Sequence, residues 1–261
     1  MREDTLERLV RNAELLLASN YYDIEAATTY VRPKRRSLAK ALAGSEQFPI
    51  IAEVKMASPS NSSISTHDPE QLITHYLKGG AAALSVLTEP KFFKGSLQLL
   101  DAASAHPVPV LMKDFIISRN QIDAAAIHGA SAVLLIQKLF SSHMVKVQRD
   151  ALIGYAHDRG LEVLLEASDE VELLQSLKGP ADVVGINQRD LRTNAIEQGK
   201  GVRLLHNLAH KTKPIIVMSG ISKREDVIAA RESGAAGVLI GTELASSGDP
   251  ESRLRDLVVP R

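Results

Sequence analysis

Glu53 and Lys55 stand two residues apart at the end of an apolar run. In an extended strand such positions face the same way, so a carboxylate and an ammonium would share one surface. Single polar residues close other apolar runs further along. Lys113 follows Pro109-Val110-Leu111-Met112, Glu166 follows Val163-Leu164-Leu165, and Asn187, with Arg189 after it, follows Val183-Val184-Gly185-Ile186. Lysines and carboxylates gathered in a partly desolvated cavity have displaced proton affinities, and such concentrations mark functional sites more often than chance allows. The chemistry they suit is proton transfer. An ammonium donates to an oxygen that gains negative charge, while a carboxylate on another wall removes a proton. Two glycine turns, Ser219-Gly220-Ile221 and Gly241-Thr242, supply a second feature. Backbone N–H groups exposed ahead of a helix hold phosphate, and Ser58 offers a hydroxyl.

These residues need a frame that turns distant strand ends toward one another. From residue 48 short runs rich in Val, Ile and Leu alternate with longer segments of helical period: 50–54, 83–87, 109–113, 132–136, 162–166, 182–186, 214–218 and 237–240. Apolar runs without alternation suit strands buried on both faces, the condition of a parallel sheet. A helix is expected over 142–157, with Met144, Val147, Ala151 and Tyr155 on one face. Gly79-Gly80, Gly129, Gly160 and Gly234 stand where helices must release the chain in a left-handed conformation. The pattern predicts a single α/β domain over 1–261, a (βα)8 barrel at 48–261 behind an N-terminal helical extension at 1–47. Within that extension a helix is expected over 3–19, with Leu6, Leu9, Val10, Ala13, Leu16 and Leu17 at spacings of three and four. A short helix is expected around 37–43. A doubly wound open sheet is the other possibility, but its glycine fingerprint is missing after the first strand.

Composition narrows the function. Lys plus Arg equals Asp plus Glu at 31 each, so no global field favours nucleic acid or an anionic membrane. The basic stretch Arg32-Pro33-Lys34-Arg35-Arg36 reads as a solvated face or a lid over an anionic substrate. The chain has no cysteine, which removes disulfides, thiolate metal sites and cysteine nucleophiles. Its first residues carry charge and no apolar signal core, and no run approaches the ~20 apolar residues of a membrane span. A monomeric cytoplasmic protein acting on a small phosphorylated molecule is expected.

Several segments resemble the indole-3-glycerol-phosphate synthases. They are 51–60 (IAEVKMASPS), 84–96 (LSVLTEPKFFKGS), 109–116 (PVLMKDFI) and 185–191 (GINQRDL), joined by the glycine turns after the last two strands. The resemblance runs collinearly from about 48 to 250 and extends to the helical N-terminus, which in that family covers the barrel mouth. It implies ring closure of 1-(2-carboxyphenylamino)-1-deoxyribulose 5-phosphate to indole-3-glycerol phosphate, carbon dioxide and water, with no cofactor or metal. By position, Lys113 matches the general acid and Glu166 the general base. Lys55 matches the lysine that holds the substrate carboxylate, with Glu53 orienting it. Asn187 and Arg189 match residues that place the substrate and support their loop. Ser58, Ser219, Gly220, Gly241 and Thr242 fall on phosphate-site positions, Thr242 where Ser is usual, and Phe115 on a substrate-binding position.

One departure stands out: Met218 occupies a place where the family carries Glu. Methionine fills space but neither accepts a strong hydrogen bond nor balances charge. The alternative reading is therefore a non-catalytic or weakly active phosphosugar-binding barrel. Two other barrels compete. Phosphoribosylanthranilate isomerase follows a pattern with a cysteine base, which this chain lacks, and a Schiff-base aldolase would use Lys113 or Lys55 as nucleophile.

Overall fold

The computed structural model describes residues 5–23, 35–44 and 46–261. Two helices precede the first strand, α1 (Thr5–Ala18) and α2 (Leu38–Ala43). The alternation then runs β1 (Ile50–Val54), α3 (Pro69–Gly79), β2 (Ala83–Leu87), α4 (Leu97–Ser104), β3 (Val110–Lys113), α5 (Arg119–Ile127), β4 (Ala132–Ile136). After α6 (Gln137–Ser141) and α7 (Arg149–Asp158) come β5 (Glu162–Ala167), α8 (Glu170–Lys178), β6 (Val183–Asn187) and α9 (Lys200–His206). The chain closes with β7 (Ile215–Met218), α10 (Arg224–Glu232), β8 (Gly237–Ile240), α11 (Thr242–Ala245) and α12 (Pro250–Leu257).

The eight strands pair in parallel, each with its neighbour in sequence, and β1 closes on β8 through Ile50↔Val238 and Ala52↔Ile240. Closure leaves no free sheet edge. Pro109 and Pro214 fall just outside β3 and β7. Proline has no N–H for the ladder, yet their carbonyls still accept from Leu84 and Val184, each at 3.0 Å. The expected left-handed exits are present, with positive φ at Gly80, Gly129, Gly160 and Gly234.

The two N-terminal helices sit at opposite ends of the barrel. Leu6, Leu9, Val10 and Ala13 of α1 are buried with Phe93 and Phe115 from loops at the C-terminal rim. Each fully buried leucine contributes about 2 kcal/mol, enough to hold α1 down. At the other rim Ser37 caps α2 and donates to Glu162, whose second oxygen accepts from Ala39 N at 2.9 Å. Arg35 donates to the carbonyls of Arg159 and Ala126 at 2.5 and 2.6 Å. That residue of the basic stretch is therefore consumed inside the chain; Arg32, Pro33 and Lys34 lie outside the described residues.

The helix expected over 142–157 is a correction. Helix α6 starts directly from β4, ends at Ser142, and is followed by His143 with φ 55. A new helix starts at Arg149, and its buried face is Leu152, Ile153 and Ala156, with Ala151 exposed. Leu139 already fills the core from α6, so Met144 and Val147 pack half-buried from a loop. The apolar spacing is present in the sequence, but a left-handed residue interrupts the helix.

Among the described residues no helix is long and apolar enough to cross a membrane.

Candidate active site

Parallel register brings the ends of β1, β3, β5 and β6 to one rim, with Leu87 opposite Lys113, Ile136 opposite Glu166 and Asn187 opposite Met218. Glu53 stands between the two lysines there. Its Oε1 lies 3.7 Å from Lys55 Nζ and its Oε2 3.7 Å from Lys113 Nζ. Gly241 after β8 makes room for it: a Cβ at that position would lie 2.4 Å from Glu53 Oε1. Burial lowers the proton affinity of the Lys55 ammonium; Glu53 opposes this, while the charges of Lys113 and Arg189 reinforce it. Both lysines keep partial access to solvent, at 14% for Lys55 and 20% for Lys113.

Glu166 is buried on the facing wall. Asn187 Nδ2 donates to its Oε1 at 2.8 Å, and Oε2 has no hydrogen-bond partner among the described residues. Burial pushes this carboxyl above the usual range. The Lys113 charge and the Asn187 hydrogen bond pull it down, and the charges of Glu53 and Glu172 add to the rise. A carboxyl so placed binds a proton more tightly than an ordinary carboxylate, which suits a base. Asn187 Oδ1 accepts from the Arg189 N–H at 2.9 Å. Both ends of the amide are thus satisfied in a single orientation. The Arg189 guanidinium donates to Asn194 O and Oδ1, each at 3.0 Å, and so braces its own loop.

The glycine turns follow β7 and β8. Ser219 and Gly220 are both left-handed, with φ 65 and 71. For a residue other than glycine that conformation is strained, the kind of strain that persists at functional sites. Gln188 Nε2 donates to Ser219 O at 2.8 Å and Gln198 Nε2 to Gly220 O at 2.9 Å, fixing the turn. Gly241 precedes the short α11, and Thr242 is exposed as its first residue. Phe115 packs near Phe93 with ring centroids 6.1 Å apart, and Lys55 Nζ lies 5.9 Å from the Phe93 centroid. Ser58 lines a cavity of about 330 Å³ with Ser60, Ser62, Lys91, Phe92 and Lys94, in which the two glycine turns take no part. A larger cavity of about 560 Å³ opens beside the mouth, among Ser168, Gln188, Asp190, Leu191 and Lys200; Lys55, Lys113 and Glu166 do not line it.

Glu53, Lys55, Lys113, Glu166, Asn187 and Arg189 thus form one electrostatically connected group, with Gly241 against it. Sequence reasoning overlooked Gln188, the buried Asn12, Tyr22, Thr88, Glu89 and Asp114, and the half-buried Tyr21. Thr88, Glu89 and Asp114 lie inside segments that carry the family resemblance, and that was the available signal. Met218 is 1% exposed, and a Cβ on Gly185 would lie 2.4 Å from its sulfur. It fills the wall between β6 and β7.

Fold and site together define a (βα)8-barrel enzyme with ammonium and carboxylate groups facing one another across its C-terminal mouth. The family model described as "Indole-3-glycerol phosphate synthase" matches residues 6–257. A protein of that name from Bacillus mycoides (strain KBAB4) is 38% identical over 260 residues, covering 97% of this chain and 98% of that one. Another, from Bacillus thuringiensis subsp. konkukian, is 40% identical over 235 residues, covering 88% of this chain and 90% of its own. The chain belongs to the indole-3-glycerol phosphate synthase family. Among solved structures, a thiamine phosphate pyrophosphorylase from Pyrococcus furiosus aligns with a TM-score of 0.60 at 12% identity, over 80% of this chain and 93% of that one. That likeness concerns the barrel alone.

Proposed function

We propose that this protein closes the indole ring of 1-(2-carboxyphenylamino)-1-deoxyribulose 5-phosphate, releasing carbon dioxide and water to give indole-3-glycerol phosphate. The observation that carries this reading is the facing pair, Lys113 held by Glu53 at 3.7 Å and Glu166 buried with one oxygen unpartnered among the described residues. Attack of the aromatic carbon on the ketone builds negative charge on the carbonyl oxygen, and Lys113 donates the proton that quenches it. Lys55 holds the substrate carboxylate until it leaves as carbon dioxide. Loss of carbon dioxide restores the benzene ring. Glu166 then takes a proton from the new five-membered ring as the hydroxyl, protonated by a lysine ammonium of the mouth, leaves as water, while Glu53 keeps the two ammonium groups apart and oriented. Asn187 holds Glu166 for this step. Arg189 and Phe115 shape the aromatic side of the mouth, and Ser58, Ser219, Gly220, Gly241 and Thr242 receive the phosphate. Fixing both ends of a flexible substrate lowers the barrier by several kcal/mol, up to about 10. Every group in this scheme comes from one chain, which suits a monomer. Membership of a tryptophan-biosynthetic family fits a cytoplasmic location.

Incubation with the anilino-deoxyribulose phosphate, followed by indole absorbance or fluorescence, tests the proposal. Lys113→Ala and Glu166→Gln are each expected to lose about 10²–10⁴-fold in turnover while still binding ligand. Full activity in either variant would remove the role assigned to it. Tight binding by the unaltered protein with no indole formed would instead favour a non-catalytic phosphosugar-binding barrel, with Met218 as the mark of lost chemistry.

A further inference from the structure

A buried hydrogen-bond network lies behind Lys113, and proton transfer at the mouth does not use it. Asp114 Oδ2 accepts from the Tyr22 hydroxyl at 2.9 Å and from Thr88 Oγ1 at 2.5 Å. Its Oδ1 accepts from the Phe115 N–H at 2.7 Å. The Thr88 N–H donates to the Lys113 carbonyl at 3.3 Å, and the Thr88 carbonyl accepts from the Tyr21 hydroxyl at 2.9 Å. The backbone around Lys113 is therefore tied to two tyrosines at the exit of α1. Tyr22 and Asp114 are 1% and 2% exposed.

A second anchor of α1 serves as a comparison. Asn12 Nδ2 donates to Glu89 Oε1 at 2.7 Å, and Glu89 also accepts from the N–H groups of Lys91, Phe92 and Phe93 at 2.7–3.0 Å. Glu89 organises its own loop. Asp114 instead joins α1, β2 and β3 at one point, next to the proposed proton donor. Burial pushes the Asp114 carboxyl up to about 6, against the hydrogen bonds from Thr88, Tyr22 and Phe115, with the Glu89 charge adding to the rise. Hydrophobic docking of α1 requires no such costly group.

We propose that Asp114 is a positioning residue for Lys113, and that Tyr22, in the turn after α1, holds Asp114 in place. The inference rests on the reading of Lys113 as the proton donor. The lysine side chain is a flexible four-carbon stem, and Glu53 lies 3.7 Å from its ammonium. Glu53 sets where that ammonium points, and the backbone that carries the stem sets how far it reaches into the mouth. A displacement of about 1 Å costs up to about a hundredfold in rate.

The test compares Tyr22→Phe, Asp114→Asn, Asn12→Ala and Lys113→Ala in the full-length protein, using the indole-forming assay. Tyr22→Phe removes one oxygen and keeps the ring that packs, so it should fold even if Asp114→Asn does not. Its kcat is expected to fall about tenfold with KM within about twofold. Asp114→Asn should fall at least as far, and the double variant no further than Asp114→Asn alone. Asn12→Ala breaks the other α1 anchor and should keep kcat within about twofold. Unchanged kcat in Tyr22→Phe, beside an inactive Lys113→Ala, overturns the positioning role and leaves the donor assignment standing. An equal loss in Asn12→Ala overturns it too, because general docking of α1 would then explain the effect. An active Lys113→Ala removes the donor assignment itself.

Discussion

Removing the Asn187 amide tests the base assignment more sharply than removing the base. Asn187 Nδ2 donates to Glu166 Oε1 at 2.8 Å with both residues buried. After the Lys113 charge it is the second influence that holds the carboxyl down against burial. Asn187→Ala deletes a hydrogen bond that favours the ionised form. A hydrogen bond to a charged group contributes about 1.5–3 kcal/mol, and each ~1.4 kcal/mol is tenfold in an equilibrium. The ionised fraction of Glu166 on the acidic side should therefore drop about ten- to hundredfold. The sign follows from the base's task. Glu166 works only when ionised, and burial already raises its pKa, so activity disappears as pH falls through that raised value. In Asn187→Ala the loss begins at higher pH. Measured as kcat/KM from indole fluorescence across the pH range, the acidic limb should move toward alkaline pH and activity should partly recover at higher pH. An acidic limb that stays in place, or moves to lower pH, would refute the reasoning.

Two further substitutions probe the walls of the site. Met218→Glu places a carboxylate opposite Asn187 in the β6–β7 register and is expected to raise the rate of indole formation; no change or a fall in kcat would mean that the site is already complete. Gly241→Ala puts a methyl group 2.4 Å from Glu53 Oε1, forcing that carboxylate from between Lys55 and Lys113. A fall in kcat of about a hundredfold is expected, and wild-type kcat and KM would show that Glu53 need not hold both lysines.

Much of the site could be read from the sequence because a barrel strand carries its information locally. An apolar run closed by a polar residue announces both a buried strand and a group at the mouth. Glu53, Lys113, Glu166 and Asn187 were all found in that way. Segment 142–157 shows where local patterning stops. Its helical spacing is present, but whether a residue such as His143 turns left-handed depends on where α6 has already placed Leu139. The network around Asp114 was equally out of reach, since its members lie 92 residues apart at Tyr22–Asp114 and 67 apart at Tyr21–Thr88. No spacing rule connects such positions.

By itself the sequence determined the eight strands, the left-handed glycine exits and the residue types at each strand end, because these depend on periodicity and backbone freedom within a few residues. Only the tertiary structure decided that Glu53 would stand between both lysines, that one oxygen of Glu166 would lack a hydrogen-bond partner among the described residues, and that Tyr21 and Tyr22 would reach the groups beside Lys113. Those outcomes depend on barrel closure. Closure sets the distances between charges from different strands and removes the water that would otherwise screen them, and that desolvation is what displaces their proton affinities.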